Sequence, residues 1–349
     1  MQLNPYAGNP HVRFDEGEGA LKHLWHPALS CNTSRREFLS GAAAFAAMPT
    51  VVALAAGANC VSSAFGYVRR SDEQQRELIA EWDKATEAVS PKVYGQYLRD
   101  GDTRGLGALQ SLELAFDKVL REAKETTVTG DAPAVWSVYN MGYVVKTRKA
   151  LFSIDLVHRR AMEFAPFLDF ALITHNHEDH WQHAFYDAMN RSGKTVISNF
   201  LDNFGAKDWR RNGGYVRGEK VFAIKDVSIR TSLIDHNDYL VDFTTAFEIK
   251  VGDFILYHTG DSGKGTESKL KTTWGRPDLW LFFPGCGIDT AKAVSKVGAK
   301  RIVFGHLWEL GHAQNHRGRL DEPLILRALS VARPACADTS LSFWGDRVL

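Results

Sequence analysis

The stretch 170-FALITHNHEDHWQHAF-185 places His175, His177, Asp179, His180 and His183 directly after an apolar run. Two histidines two residues apart in extended backbone project from the same side. Asp179 and His180 follow as the chain turns into a helical pattern. A loop of this kind can feed two metal ions, but it cannot complete their coordination alone. Further donors must come from elsewhere in the chain. This requirement constrains the fold, because other strand ends must converge on the same rim.

Three later strands end in suitable residues. His236 follows the apolar stretch 228–234, Asp261 follows 254-FILYHTG-260, and His306 follows 301-RIVFG-305. Taken singly, His236 is a loop histidine and Asp261 a turn residue. The joint pattern, each polar group just beyond an apolar strand, makes them candidate ligands. His258 lies inside its strand and is read as structural. His183, one turn after His180, is read as orienting its neighbours and not as a ligand. Imidazole and carboxylate donors suit zinc, with manganese or iron also compatible.

The surrounding pattern is mixed. Strands are expected over 135–138, 143–147, 150–154, 171–174, 195–198, 220–224, 227–233, 245–251, 254–258, 279–283 and 301–304. Helices are expected over 183–191, 202–210 and 290–297. Gly142, 146–149 and 251-VGD-253 read as turns. Upstream, Ser71 and Gln74 form a capping-box signature, followed by Leu78, Trp82, Ala85 and Val89 at helical spacing, with Pro91 read as the end. Leu109, Leu112, Phe116, Val119 and Leu120 mark another helix. The expected class is α/β, two sheets with helices outside, preceded by a short helical segment. Domain bounds are 59–130 for the helical lead-in and 131–349 for the main domain. The lead-in is expected to pack as a flank, the alternative being a cap over the site or a dimer face.

The order HxHxDH, then His, then Gly-Asp, then His resembles the metallo-β-lactamase superfamily of metal-dependent hydrolases. The resemblance covers roughly 130–310, including 135-VWSVYNMGYVVKT-147 and Asp155 as an opening hairpin. It implies a four-layer αββα sandwich. It also implies that His175, His177 and His236 hold one metal, that Asp179, His180 and His306 hold a second, and that Asp261 bridges. Two such cations lower the pKa of a shared water to give hydroxide and polarise a carbonyl or phosphoryl oxygen. Asp179 is the candidate proton acceptor, and Asp155, Ser262 and Asn176 are candidates to orient ligands. Asp261 stands where class B1 and B2 β-lactamases carry a cysteine. The stretch 284-PGCGIDTAKAVSKVGAKRIVFGHLWELGH-312 is more similar to the branch holding ascorbate-6-phosphate lactonase and N-acyl-phosphatidylethanolamine phospholipase D. The expected reaction is cleavage of an ester, lactone or phosphodiester bond in a small-molecule or lipid substrate. The alternatives are a non-catalytic metal-binding protein of this fold and a di-iron redox enzyme with the same ligands.

Residues 34-SRREFLSGAAAFAAMPTVVALAAGA-58 read as a bacterial twin-arginine signal, with Arg35 and Arg36 ahead of an alanine-rich run. The run is interrupted by Pro49 and poor in Leu and Ile, which disfavours a membrane anchor. Residues 1–58 are therefore expected to be a leader, cleaved after Ala55 or Ala58, that uses the twin-arginine export machinery and delivers a periplasmic or secreted protein. Formal net charge is +1, so no nucleic-acid partner is expected. The four cysteines form no CxxC pair, which excludes a cysteine zinc knuckle, and Cys286 is expected as a small packed side chain. Lys264, Lys269, Lys271 and Arg276 are candidates to meet an anionic group, Trp181, Trp274 and Trp308 to wall a pocket, and His312 and His316 to transfer protons.

Overall fold

Capping chemistry sets the first helices. The Ser71 hydroxyl accepts from the Gln74 N–H, and the Gln74 side chain accepts from the Ser71 N–H. These bonds start α1, Asp72–Glu87. Pro91 does not end this helix. It stands in the first turn of the next, α2, Pro91–Asp100, whose N-cap is Ser90. Proline is favoured there because the first-turn N–H has no partner to lose. Helix α3, Gly107–Glu125, follows. The computed structural model describes residues 70–200, 213–314, 316 and 318–349. The leader and the helix expected over 202–210 lie outside the described residues.

Twelve strands among the described residues form two sheets. The first has order β1-β2-β3-β4-β5, built from Ala134–Tyr139, Gly142–Lys146, Leu151–Ile154, Phe170–Leu172 and Thr195–Ile197. Its β1–β2 and β2–β3 pairs are antiparallel, and β3–β4 and β4–β5 are parallel. Helix α4, His183–Arg191, connects β4 to the parallel β5. Gly142 opens β2 and is not the turn itself. A Cβ there would lie 2.7 Å from the backbone oxygens of Asp155 and Tyr139. The turn is made by Asn140 and Met141, with Asn140 at φ 55°.

The second sheet begins with β6 (Lys220–Ile224), β7 (Val227–Ile234), β8 (Thr244–Val251) and β9 (Phe254–His258). It continues with β10 (Leu279–Phe282), β11 (Ile302–Phe304) and β12 (Thr339–Leu341). The order is β12-β11-β10-β9-β8-β7-β6, antiparallel from β6 to β9 and parallel from β9 to β12. Helix α5, Thr290–Val297, joins β10 to β11, and α6, Glu322–Ala332, precedes β12. Neither α6 nor β12 was legible from the periodicity above.

The sheets share one apolar core. Cross-sheet bonds include Thr245 N–H to Thr174 O (2.7 Å) and the contact of His258 Nε2 with Met141 O (3.0 Å). Helix α3 lies on β1 and β2, and α4 on β4 and β5, while α5 and α6 pack together beside the second sheet. All six residues of β1 are buried, as expected for a strand covered on both faces. Its outer edge is paired by the C-terminal segment, through Val348 N–H to Val135 O (2.8 Å) and Ser137 N–H to Asp346 O (2.9 Å). This pairing removes an open sheet edge. The expected α/β class, two mixed sheets behind N-terminal helices, is the one observed. Among the described residues no helix is long and apolar enough to cross a membrane.

Candidate metal centre

The seven expected donors come from four strand ends. His175 and His177 lie in the loop after β4, with Asp179 and His180 in the turn before α4. His236 follows β7, Asp261 follows β9, and His306 follows β11. Ligand atoms of His175, His177 and His236 lie within 4.8 Å of one another, as do those of Asp179, His180, Asp261 and His306. Asp261 stands between the groups. Its Oδ2 is 3.6 Å from His236 Nε2 and 3.3 Å from His306 Nε2, and its Oδ1 is 3.2 Å from His180 Nε2. His306 Nε2 is 3.0 Å from Asp179 Oδ2, and His175 Nε2 is 3.1 Å from His177 Nδ1.

These separations test whether the donors fit a metal. Two atoms each ~2.1 Å from a tetrahedral zinc stand about 3.4 Å apart. The observed spacings cluster around that figure. Moreover His180 Nε2, His236 Nε2 and Asp261 Oδ1 are buried without a hydrogen-bond partner. They sit near one another but are not aligned to bond one another, which is costly unless a cation occupies their common centre. The donor set and its geometry fit divalent metal.

Hydrogen bonds from outside fix the rings. Asp155 is fully buried and accepts from Thr174 N–H (2.7 Å), Thr174 Oγ1 (2.6 Å) and His180 Nδ1 (2.8 Å). Because the Thr174 hydroxyl donates to Asp155, it accepts from His175 Nδ1, 3.0 Å away. Both imidazoles therefore keep the Nε2 lone pair for the centre. Asp155 was expected in this role. Ser262 instead donates to Thr259 Oγ1. Thr174 carried no sequence signal. Asn140 carried a weak one, an Asn-x-Gly turn. Its side chain donates to Asp179 Oδ2 (2.9 Å), and its carbonyl accepts from the His306 N–H (3.1 Å).

The electrostatics separate the histidines. Burial pushes His175 far below the usual imidazole range and lowers His177, and it carries His236 down to about 4. For His180 and His306 burial acts the same way, but the carboxylates outweigh it. Asp261, Asp179 and Asp155 hold His180 well above its ordinary value, and Asp261 and Asp179 carry His306 to about 10. Burial would raise Asp179 and Asp261, yet the neighbouring His180 and His306 hold both well below the carboxylate range. The buried carboxylates thus make the centre favour positive charge, as a cation site requires.

Other expectations divide. His183 is exposed at the first position of α4, outside the ligand set, and His258 is buried as a structural residue. Trp308 is packed in the core, stacked on Trp82 and Phe343, and does not wall a pocket. The four cations near Asp261 meet the protein's own groups. Lys264 pairs with Asp238, Lys269 with Asp235 and Asp242, and Lys271 with Glu219, while Arg276 donates to Gly298 and Ala299 carbonyls. Lys269 clamps both flanks of the His236 loop. Cys286 was expected simply to pack. Instead its Sγ lies within 4.8 Å of donor atoms on His236 and Asp261. It follows β10, so it obeys the same strand-end rule as the ligands. Phe283 stacks on His306 at 4.3 Å, and Phe243 packs beside His175 and His177.

Two mixed sheets with these donors at converging strand ends define a class, the metal-dependent hydrolases of the metallo-β-lactamase fold. Residues 133–301 match the model of the Beta-lactamase superfamily domain. It is 25% identical over 189 residues to a UPF0173 metal-dependent hydrolase of Caldivirga maquilingensis, covering 48% of this chain and 82% of that one. Among solved structures it is similar to Igni18, a metallo hydrolase from Ignicoccus hospitalis, with TM-score 0.46 and 17% identity over 61% of this chain and 96% of that one. It is also similar to the metallo-β-lactamase fold protein YhfI from Bacillus subtilis, with TM-score 0.44 and 14% identity over 62% and 98% of the two chains.

Proposed function

We propose that the protein is an exported hydrolase with two divalent cations, zinc in the first instance, that cleaves an ester, lactone or phosphodiester bond. The observation that carries this reading is the set of seven donors at zinc-like spacing around Asp261. His175, His177 and His236 would hold one cation, and Asp179, His180 and His306 the other, with Asp261 shared. Bound there, the cations would supply the Lewis acidity that makes water nucleophilic and offsets charge on the carbonyl or phosphoryl oxygen. Asp179, oriented by Asn140, would accept the proton of the attacking water. Asp155 and Thr174 keep the imidazoles in the tautomer that presents a lone pair.

The leaning toward the lactonase and phospholipase D branch rests on the 284–312 pattern, and that toward export rests on Arg35 and Arg36 ahead of an alanine-rich run. A folded, metal-loaded passenger suits the twin-arginine route. The test pairs metal analysis with a substrate panel of phosphodiesters, lactones, N-acyl phospholipids and β-lactams. Two metals per chain and turnover of one of the first three are expected, and both H177A and D261A should abolish turnover. Protein that holds no metal after reconstitution would sink the reading, and preferred turnover of β-lactams would overturn the branch. A mature N-terminus near residue 56–59 is the expected mark of export.

A further inference from the structure

The loop after β11 carries ionisable groups beyond the seven donors. Glu309 is fully buried. Its carboxylate accepts from the N–H groups of Gly311 (2.5 Å) and His312 (2.7 Å), from the Tyr139 hydroxyl (3.2 Å) and from His312 Nδ1 (2.7 Å). The Tyr139 hydroxyl in turn accepts from the Leu310 N–H at 2.7 Å. Four donors occupy the carboxylate, which leaves it poorly suited to ligate a metal although it lies close to one group of ligands. Ligand atoms of Asp179, Glu309 and His312 all fall within 4.8 Å of one another. His312 therefore borders the centre through Asp179 while its side chain keeps 30% exposure. Its ring stacks on His316, with centroids 4.1 Å apart and planes 8° from parallel.

The chemistry follows from the tautomer. With Nδ1–H committed to Glu309, the ring gains or loses a proton only at Nε2. Glu309 stands directly behind the ring and holds its Nδ1–H at 2.7 Å. This is an acid with a fixed ring, a carboxylate behind it and access to solvent, six residues beyond ligand His306. None of the seven donors is placed to give a proton to a departing group once it holds a cation.

We propose that His312, positioned by Glu309, protonates the leaving group, and that the substrates are accordingly those with an unactivated alkoxide leaving group. The proposal rests on the hydrolytic reading above and names its substrate class more narrowly. Water adds to the carbonyl carbon or phosphorus and gives its proton to Asp179. The bond from that atom to the alkoxide oxygen breaks, and the alkoxide takes the proton from His312 Nε2. The ring remains neutral, still bonded to Glu309, and regains a proton from solvent. No electrons are exchanged.

The test uses the full-length, zinc-reconstituted chain and two matched pairs of substrates, ethyl and p-nitrophenyl esters and ethyl and p-nitrophenyl phosphodiesters. General acid catalysis contributes about 10²–10⁴-fold, and p-nitrophenolate leaves without it. H312Q is expected to lower kcat on the ethyl member by about 100-fold or more and on the nitrophenyl member by less than about tenfold. KM and metal content should be retained, since His312 is partly exposed and is no ligand. E309Q should move kcat in the same direction with the same leaving-group dependence. Equal loss on both members of a pair, or no loss on the ethyl member, would overturn the proposal and leave the hydrolytic reading standing. No turnover of either pair by the wild-type chain would overturn the proposal, and with no turnover of the lactones and N-acyl phospholipids above it would remove the hydrolytic reading too.

Discussion

At the scale of the residue, Asp155 shows how a side chain that is not a ligand governs ligands. It sits at φ 44°, a left-handed conformation, and its two oxygens accept from Thr174 and His180. Asparagine tolerates that backbone conformation but keeps only one acceptor oxygen, so D155N removes the charge together with the acceptor facing either the Thr174 N–H or the Thr174 hydroxyl and His180. Partners of this kind typically contribute 10–100-fold to metal affinity. D155N is therefore expected to weaken binding at the Asp179, His180 and His306 site by about 10–100-fold and to weaken the other site less, since His175 is reached only through Thr174. Competition with a chelator reads the two affinities, and unchanged affinity at the Asp179, His180 and His306 site would show that Asp155 does not govern it.

At the scale of the element, α1 lies outside the matched domain but props the loop that carries His306. Trp82 is buried against Trp308 (5.8 Å, stacked), Trp344 (4.5 Å, edge-on) and Phe343 (6.3 Å). Asp83 accepts from the Trp308 indole and from the Glu322 N–H, each at 3.3 Å. Both His306 and Trp308 have positive φ, near 60° and 55°, a conformation that non-glycine residues hold only with such support. Replacing a buried tryptophan by alanine costs about 3–5 kcal/mol. W82A should lose about that much in urea unfolding, with an unchanged m-value. A loss under about 1 kcal/mol would mean that the lead-in only rests on the domain.

At the scale of the molecule, a buried histidine outside the seven donors couples the lead-in to acid stability. His158 packs flat on Phe116 of α3, with centroids 4.1 Å apart, and its Nε2 meets the Tyr97 hydroxyl of α2 at 3.1 Å. Its Nδ1 accepts from the Arg160 N–H, which suits the neutral ring. Burial carries its pKa down to about 3, with Arg160 and Arg159 adding to the shift and Glu113 opposing it. The unfolded chain takes up this proton near pH 6.5, the folded chain only near 3. Between those values the unfolded state binds more protons. Stability from this residue is present above about pH 6.5 and falls as the pH drops, by about 1.4 kcal/mol per unit. H158Q should flatten the pH dependence of the urea midpoint in that window, and an unchanged slope would exclude His158 as its source.

What the sequence determined by itself was local. His-x-His spacing, apolar runs ending in a polar residue, and the capping box at Ser71 each depend on neighbours along the chain, so the α/β class could be named, and seven candidate donors picked out, from the sequence. The tertiary structure decided whatever depends on neighbours far apart in the chain. Asn140 reaches Asp179, Tyr139 reaches Glu309, and Cys286 approaches His236 only because the strand ends converge. The short β12 and its helix α6 had no periodicity long enough to read. Lys264, Lys269 and Lys271 had the right charge for an anion, but the fold brings carboxylates to each of them. Trp308 lies two residues from a ligand and still faces the core. Adjacency to the site along the chain is no guide to orientation, because a backbone at positive φ turns the next side chain away.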